Sequence, residues 1–128
     1  MMATSGLILV VDDDRDIRES LQEALVDEGY TVVGAFDGVD ALERLRAAKD
    51  LPKLILLDLM MPRMNGAQFR EEMVKVEEWV GIPVVVLSAD SEVRAKAAAL
   101  KAVGCLQKPI TLRTLFEAVE RAMRGSAA

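Results

Sequence analysis

Leu54-Ile55-Leu56-Leu57-Asp58-Leu59-Met60-Met61-Pro62 decides the reading of this chain. Four apolar residues make a strand-like run, an acid closes it, and the chain turns at Met60-Met61-Pro62. A second run, Leu7-Ile8-Leu9-Val10-Val11, ends the same way at Asp12-Asp13-Asp14. A charge is costly inside a buried strand, so each acid belongs where its strand leaves the sheet. If the two strands are parallel neighbours, their acids meet at one edge. Carboxylates so placed repel one another and resist ionising together. A divalent cation relieves that conflict, and Mg²⁺ suits a site of few carboxylates, a carbonyl and waters.

Outward from these runs, short apolar segments alternate with helical patterns. Strands are predicted over 7–11, 30–35, 54–57, 84–87 and 105–107. The first helix covers about 15–28 and buries Ile17, Leu21, Ala24 and Leu25, with Gly29 as its stop. The second covers about 38–49 and buries Ala41, Leu42 and Leu45. The third starts near Gly66 and buries Phe69, Met73 and Val76. The fourth, 91–102, is alanine-rich. The fifth follows Thr111, a predicted N-cap, and buries Leu115, Phe116, Val119 and Met123. Residues 125–128 read as a frayed end. Trp79 and the Met60, Met61 and Met64 cluster read as packing residues.

Five βα units predict an α/β fold: a doubly wound parallel sheet with helices on both faces. Ligands on such sheets bind at the C-terminal strand edge, where the winding reverses. In the order 2-1-3-4-5 that point lies between the first and third strands, which end in Asp12-Asp13 and Asp58. Ser88 closes the run at 84–87, and Lys108 follows 105–107 and precedes Pro109. Taken singly, Ser88 is a turn residue, Lys108 a surface lysine and Asp14 an N-cap. Taken together, a carboxylate that can attack phosphorus, a hydroxyl, an ammonium and a metal cluster suit phosphoryl transfer.

The 128 residues fit one domain, and 52% hydrophobic content is ample for a core. The net charge of −5 makes nucleic acid and anionic membranes poor partners. A single cysteine, Cys105, excludes an internal disulfide and fits a reducing, cytoplasmic setting. Residues 1–6 carry no basic side chain, and the apolar run after them is too short for a signal peptide. No stretch is long enough to span a membrane. Histidine is absent, which excludes His-based catalysis and His-ligated zinc. Any phosphohistidine must come from another protein.

The chain resembles the receiver domain of two-component response regulators over nearly its whole length. The resemblance rests on Val10-Val11-Asp12-Asp13-Asp14, on Leu57 to Pro62 with Asn65-Gly66, on Leu87-Ser88-Ala89 and on Lys108-Pro109-Ile110. It implies a flavodoxin-like (βα)5 three-layer sandwich, and the strand order above comes in part from it. It implies that Asp58 is the phosphoacceptor, that Asp13 and Asp58 bind Mg²⁺ directly, and that Asp12 does so more through water. The Met60 carbonyl would be a third protein ligand. Ser88 would bond the phosphoryl group and move, Lys108 would bridge to a phosphoryl oxygen, and the bond before Pro109 would be cis. Expected partners are a sensor histidine kinase or histidine phosphotransfer protein and a downstream effector protein. The expected organisation is a single receiver domain over 1–128, with an ordered core of about 6–124, no output domain, and a monomer or weak homodimer.

Two positions depart from the family. Cys105 stands where an aromatic residue usually couples to the mobile hydroxyl, and Lys101 stands where glycine often ends the fourth helix. Cys105 reads as a small packed residue rather than a redox sensor. Three other readings fit less well. An aspartate-nucleophile phosphatase of the haloacid dehalogenase type needs an Asp where Met60 stands. A flavodoxin-like flavin carrier would have its phosphate repelled by Asp12-Asp13-Asp14. A degenerate receiver, used only for docking, would lack Asp58, the acidic pair or Lys108.

Overall fold

The computed structural model describes residues 6–127. Its elements are β1 (Leu7–Val11), α1 (Arg15–Asp27), β2 (Thr31–Ala35), α2 (Gly38–Ala47), β3 (Leu54–Asp58), α3 (Gly66–Met73), α4 (Glu77–Val80), β4 (Val84–Ser88), α5 (Val93–Ala99), β5 (Gly104–Gln107) and α6 (Leu112–Ala127). The strands form one parallel sheet in the order β2-β1-β3-β4-β5.

The sheet is covered on both faces, which is why its central strands are apolar without alternation. Leu9, Val11, Ile55, Leu57, Val84 and Val86 pack under α2, α3, α4 and α5, where Leu42, Leu45, Phe69, Met73, Trp79 and Val93 meet them. Ile8, Val10, Leu54, Leu56, Val85 and Leu87 face the other way, against Leu21 and Leu25 of α1 and Leu115 and Val119 of α6. This is the expected three-layer sandwich. Register then sets the edge: Val11 pairs with Leu57, Asp58 with Leu87, and Ser88 with Gln107. Asp12 therefore leaves β1 level with Asp58, and Lys108 leaves β5 one step beyond Ser88.

The expected boundaries shift by a few residues at most strand and helix ends. Asp58 and Ser88 lie within their strands rather than after them. The alanine-rich helix is shorter than 91–102. Trp79 sits in α4, a single turn too short to show a periodic pattern, and is buried. Met61 and Met64 pack against the core, but Met60 is 72% exposed, so its side chain is not a packing residue. The chain is helical to Ala127, past the expected end of the core at 124. Residues 1–5, where a signal peptide was sought, and Ala128 lie outside the described residues.

Lys101 shows how the missing glycine is managed. It adopts φ 57°, the left-handed conformation that ends a helix. Its amide bonds the Ala98 carbonyl at 3.1 Å and the Ala102 amide bonds that of Ala97 at 3.0 Å, a Schellman closure of α5. Arg70 of α3 adds a second closure, donating from Nε to the Leu100 carbonyl at 3.0 Å and from Nη2 to that of Lys101 at 3.3 Å. A side chain in the left-handed region costs about 1 kcal/mol, so Lys101→Gly should raise stability by roughly that amount. The check is urea unfolding, with a higher midpoint at unchanged slope. An unchanged midpoint would mean that Arg70 and the packing already remove the strain.

Candidate functional site

The site is assembled from four consecutive strand ends. Asp12 is wholly buried. Its amide bonds the Ala35 carbonyl at 3.1 Å, its Oδ1 accepts the Asp14 amide at 2.9 Å, and its carbonyl accepts Arg18 Nη1 at 2.8 Å. These contacts fix the turn, and Asp14 then caps α1 by accepting the Ile17 amide at 3.1 Å. Asp13 is exposed, yet carboxylate oxygens of Asp12, Asp13 and Asp58 lie within 4.8 Å of one another.

Asp58 is 2% exposed. Lys108 Nζ donates to its Oδ1 at 3.2 Å and stands 3.0 Å from Asp12 Oδ2. That second contact is an ion pair, and Asp12 Oδ2 is buried with no further hydrogen-bond partner among the described residues. Lys108 is itself held by its amide, which donates to the Ser88 carbonyl at 2.8 Å, and by a cis bond to Pro109. Ser88 is buried, and its hydroxyl oxygen accepts the Asp90 amide at 3.0 Å. Asp90 in turn accepts the Glu92 amide at 2.8 Å and pairs with Lys96 at 2.7 Å.

The loop after Asp58 folds back tightly. The Gly66 amide donates to the Leu59 carbonyl at 3.1 Å. A Cβ on Gly66 would lie 2.6 Å from the Asp58 carbonyl oxygen and 2.9 Å from Leu59 Cα, so only glycine fits there. Asn65 and Gln68 cap α3 reciprocally at 2.8 and 3.0 Å.

Burial pushes the Asp58 carboxyl up to about 6, and the neighbouring Asp12 charge adds to this; Lys108 and the Met60 amide act against it. For Lys108, burial favours the neutral amine, but Asp12 and Asp58 outweigh it and hold the ammonium above its ordinary value. One ammonium pairs with Asp12 and Asp58, and Asp13 adds a third carboxylate beside them. The donors are oxygens, one of them a buried carboxylate oxygen met only by the Lys108 ion pair, which fits a hard divalent cation such as Mg²⁺.

Asp12, Asp13, Asp58 and Lys108 thus come together as expected, with Ser88 on the next strand end. The contacts of three residues are not marked in the sequence. The Asp90 amide holds the Ser88 hydroxyl, and Asp37 pairs at 2.6 Å with Arg63 of the loop that follows Asp58. The available signal for Asp37 was an acid before glycine where β2 passes into α2. Nothing in the sequence marked its partner.

Residues 8–120 match the family model described as the response regulator receiver domain. The response regulator MprA of Mycobacterium ulcerans is 40% identical over 119 residues, covering 91% of this chain and 50% of that protein. The chain therefore spans half the length of the curated relatives it matches. Among solved structures, the chemotaxis response regulator CheY4 of Vibrio cholerae matches with a TM-score of 0.84 at 30% identity, over 92% of this chain and 98% of that one. The receiver domain of NtrX from Brucella abortus matches with a TM-score of 0.82 at 31% identity, over 91% and 98%.

The Asp58 shift has a consequence for stability. Its ordinary value is 3.8, so between there and about 6 the folded state holds a proton that the unfolded state has lost. The contribution of Asp58 is fully present below the lower value and lost as pH rises through the upper. With chelator present, the stability of Asp58→Asn relative to wild type should climb across that window and level off above it. Urea midpoints measured from pH 4 to 8 test this, and parallel curves would contradict it.

Proposed function

The chain belongs to the response regulator receiver domain family, and on that premise we propose that Asp58 accepts a phosphoryl group from a phosphohistidine of a sensor histidine kinase or histidine phosphotransfer protein. One observation carries the assignment: Asp58 is a buried acid at the switch point of the sheet, paired with Lys108 and crowded by Asp12.

An Asp58 carboxylate oxygen attacks phosphorus in line. The oxygen–phosphorus bond forms, the phosphorus–nitrogen bond breaks, and its electron pair leaves with the imidazole of the donor. With a value near 6, Asp58 is mostly ionised at neutral pH and is the nucleophile. Asp12, Asp13, Asp58 and the Met60 carbonyl would hold Mg²⁺, which supplies positive charge to the carboxylates and to the transferred oxygens. Lys108 carries its ammonium to a phosphoryl oxygen. Ser88 turns its hydroxyl to another and gives up the Asp90 amide, which moves the loop into α5. Attack by water on the same acyl phosphate resets the domain, so its catalysis is confined to its own phosphorylation and dephosphorylation. The message passes from α5, β5 and α6 to an effector protein. Among the described residues no helix is long and apolar enough to cross a membrane, and a cytoplasmic role fits the family.

Acetyl phosphate with Mg²⁺ should add one phosphoryl mass to wild type and none to Asp58→Asn, read by intact mass. Lys108→Ala should still accept some phosphate but lose the amide shifts that follow it. Labelling retained in Asp58→Asn would move the site elsewhere.

Cys105 limits the response. An aromatic ring at that position would fill the space a moving hydroxyl leaves, and a half-buried thiol has little to reposition. Beryllofluoride should shift the amides around Ser88 strongly and those of α5, β5 and α6 modestly, with a larger response in Cys105→Tyr. A large wild-type response on that face, not increased by tyrosine, would show that the missing ring does not limit the switch.

A further inference from the structure

Two turns meet beside the acid cluster. Phe36-Asp37-Gly38 joins β2 to α2, and residues 59–65 join β3 to α3. Asp37 is 1% exposed although it is charged. Its Oδ1 accepts the Asp40 amide at 2.8 Å and so caps α2. Its Oδ2 accepts Arg63 Nε at 2.6 Å. Capping alone does not need a carboxylate, since serine or asparagine serves as well. The buried charge is explained by Arg63. Burial raises the Asp37 carboxyl, but Arg63 and the Asp40 amide outweigh it and hold it below its ordinary value, so the pair is ionised at neutral pH.

The contact is built from both sides. Arg63 stands at φ 61°, a strained position for a residue with a side chain, and such strain persists only where the surroundings enforce it. Its guanidinium lies 5.7 Å from the centre of the Phe36 ring. The Gly38 amide donates to the Met64 carbonyl at 3.1 Å. A Cβ on Gly38 would meet Met64 Cγ at 2.6 Å and that carbonyl oxygen at 2.9 Å, so the close approach requires glycine. The Asp58 loop is thus tied at its base by Gly66 to Leu59 and at its far side by Arg63 and Met64. Met60 lies between these ties, and its exposed side chain does little to hold it.

We propose that Asp37 and Arg63 are positioning residues for the cation site: their clasp holds the Asp58 loop so that the Met60 carbonyl stands ready as a ligand. The inference rests on the reading of Met60 and the acid cluster as a Mg²⁺ site. Mg²⁺ demands nearly ideal octahedral geometry, so a loosened carbonyl costs affinity while the fold persists.

The test uses the whole chain and Mg²⁺ alone. Arg63→Gly removes the guanidinium and tolerates φ 61°, Asp37→Asn keeps the cap without the charge, and Arg63→Lys keeps the charge. Mg²⁺ affinity, amide exchange over 59–66 and urea midpoints are measured for each. Arg63→Gly and Asp37→Asn should each weaken Mg²⁺ by about tenfold and speed exchange over 59–66, and Arg63→Lys should recover much of the affinity. The Arg63→Gly midpoint should fall, since relief at φ 61° offsets only part of leaving Asp37 buried without its partner, whereas the double variant Asp37→Asn with Arg63→Gly should keep the weakened affinity at a midpoint nearer wild type. Wild-type affinity in Arg63→Gly would overturn the clasp and leave the metal site standing. Affinity that returns in the double variant as its midpoint recovers would also overturn it, by assigning a general structural role. Failure of wild type to bind Mg²⁺ would overturn the site reading and the clasp together.

Discussion

The ammonium of Lys108, 3.0 Å from Asp12 and 3.2 Å from Asp58, ties the outer strand β5 to the two strands at the centre of the sheet. Two carboxylates have been taken out of water at one edge, and a third lies beside them. Removing charge from water is expensive, and a single ammonium offsets only part of the cost. The remainder is visible as the raised Asp58 carboxyl. The site is therefore short of positive charge by construction, and the fold supplies enough packing elsewhere to tolerate it. A cation at these oxygens would relieve the conflict, and under the proposed function a phosphoryl group on Asp58 would renew it in a new place. On that reading, the same electrostatics that strain the resting protein would make it responsive.

Much of this was legible in the chain because charge interrupts apolar runs so sharply. Leu54 to Leu57 and Leu7 to Val11 are continuous because both faces of the sheet are covered, and their terminal acids mark the exits. What pairs with what was less legible. Lys108 finds Asp58 fifty residues away through topology and register, which no local pattern encodes. The Asp37 to Arg63 pair is hidden for the same reason, each half looking like ordinary turn chemistry. Met60 was misread because three methionines in a short loop look apolar, whereas the loop is held by backbone contacts at Gly66 and Met64 and leaves Met60 in solvent. α4 has one turn, too little for a period to appear.

Lys101 and Cys105 show that a departure from a family pattern is visible before its compensation is. The sequence showed that glycine was missing at the end of α5, but not that Arg70, thirty residues earlier, would bond the free carbonyls there. Arg70 thereby links α3, which begins beside the Asp58 loop, to the end of the helix that follows Ser88. Ser88 is held at the opposite end of that segment by the Asp90 amide, with Lys96 pairing to Asp90 across the first turns. The segment between β4 and β5 is thus pinned at both ends by polar contacts.

The Asp58 carboxyl is held high by burial and by Asp12, and a bound cation would bring it down. Carboxyl-carbon NMR reads this directly, by following the side-chain carbon of Asp58 from pH 3 to 8 with chelator and again with saturating Mg²⁺. The expected midpoint is near 6 without metal and clearly lower with it. A midpoint at the ordinary carboxylate value of 3.8 without metal, or one that Mg²⁺ leaves in place, would contradict it.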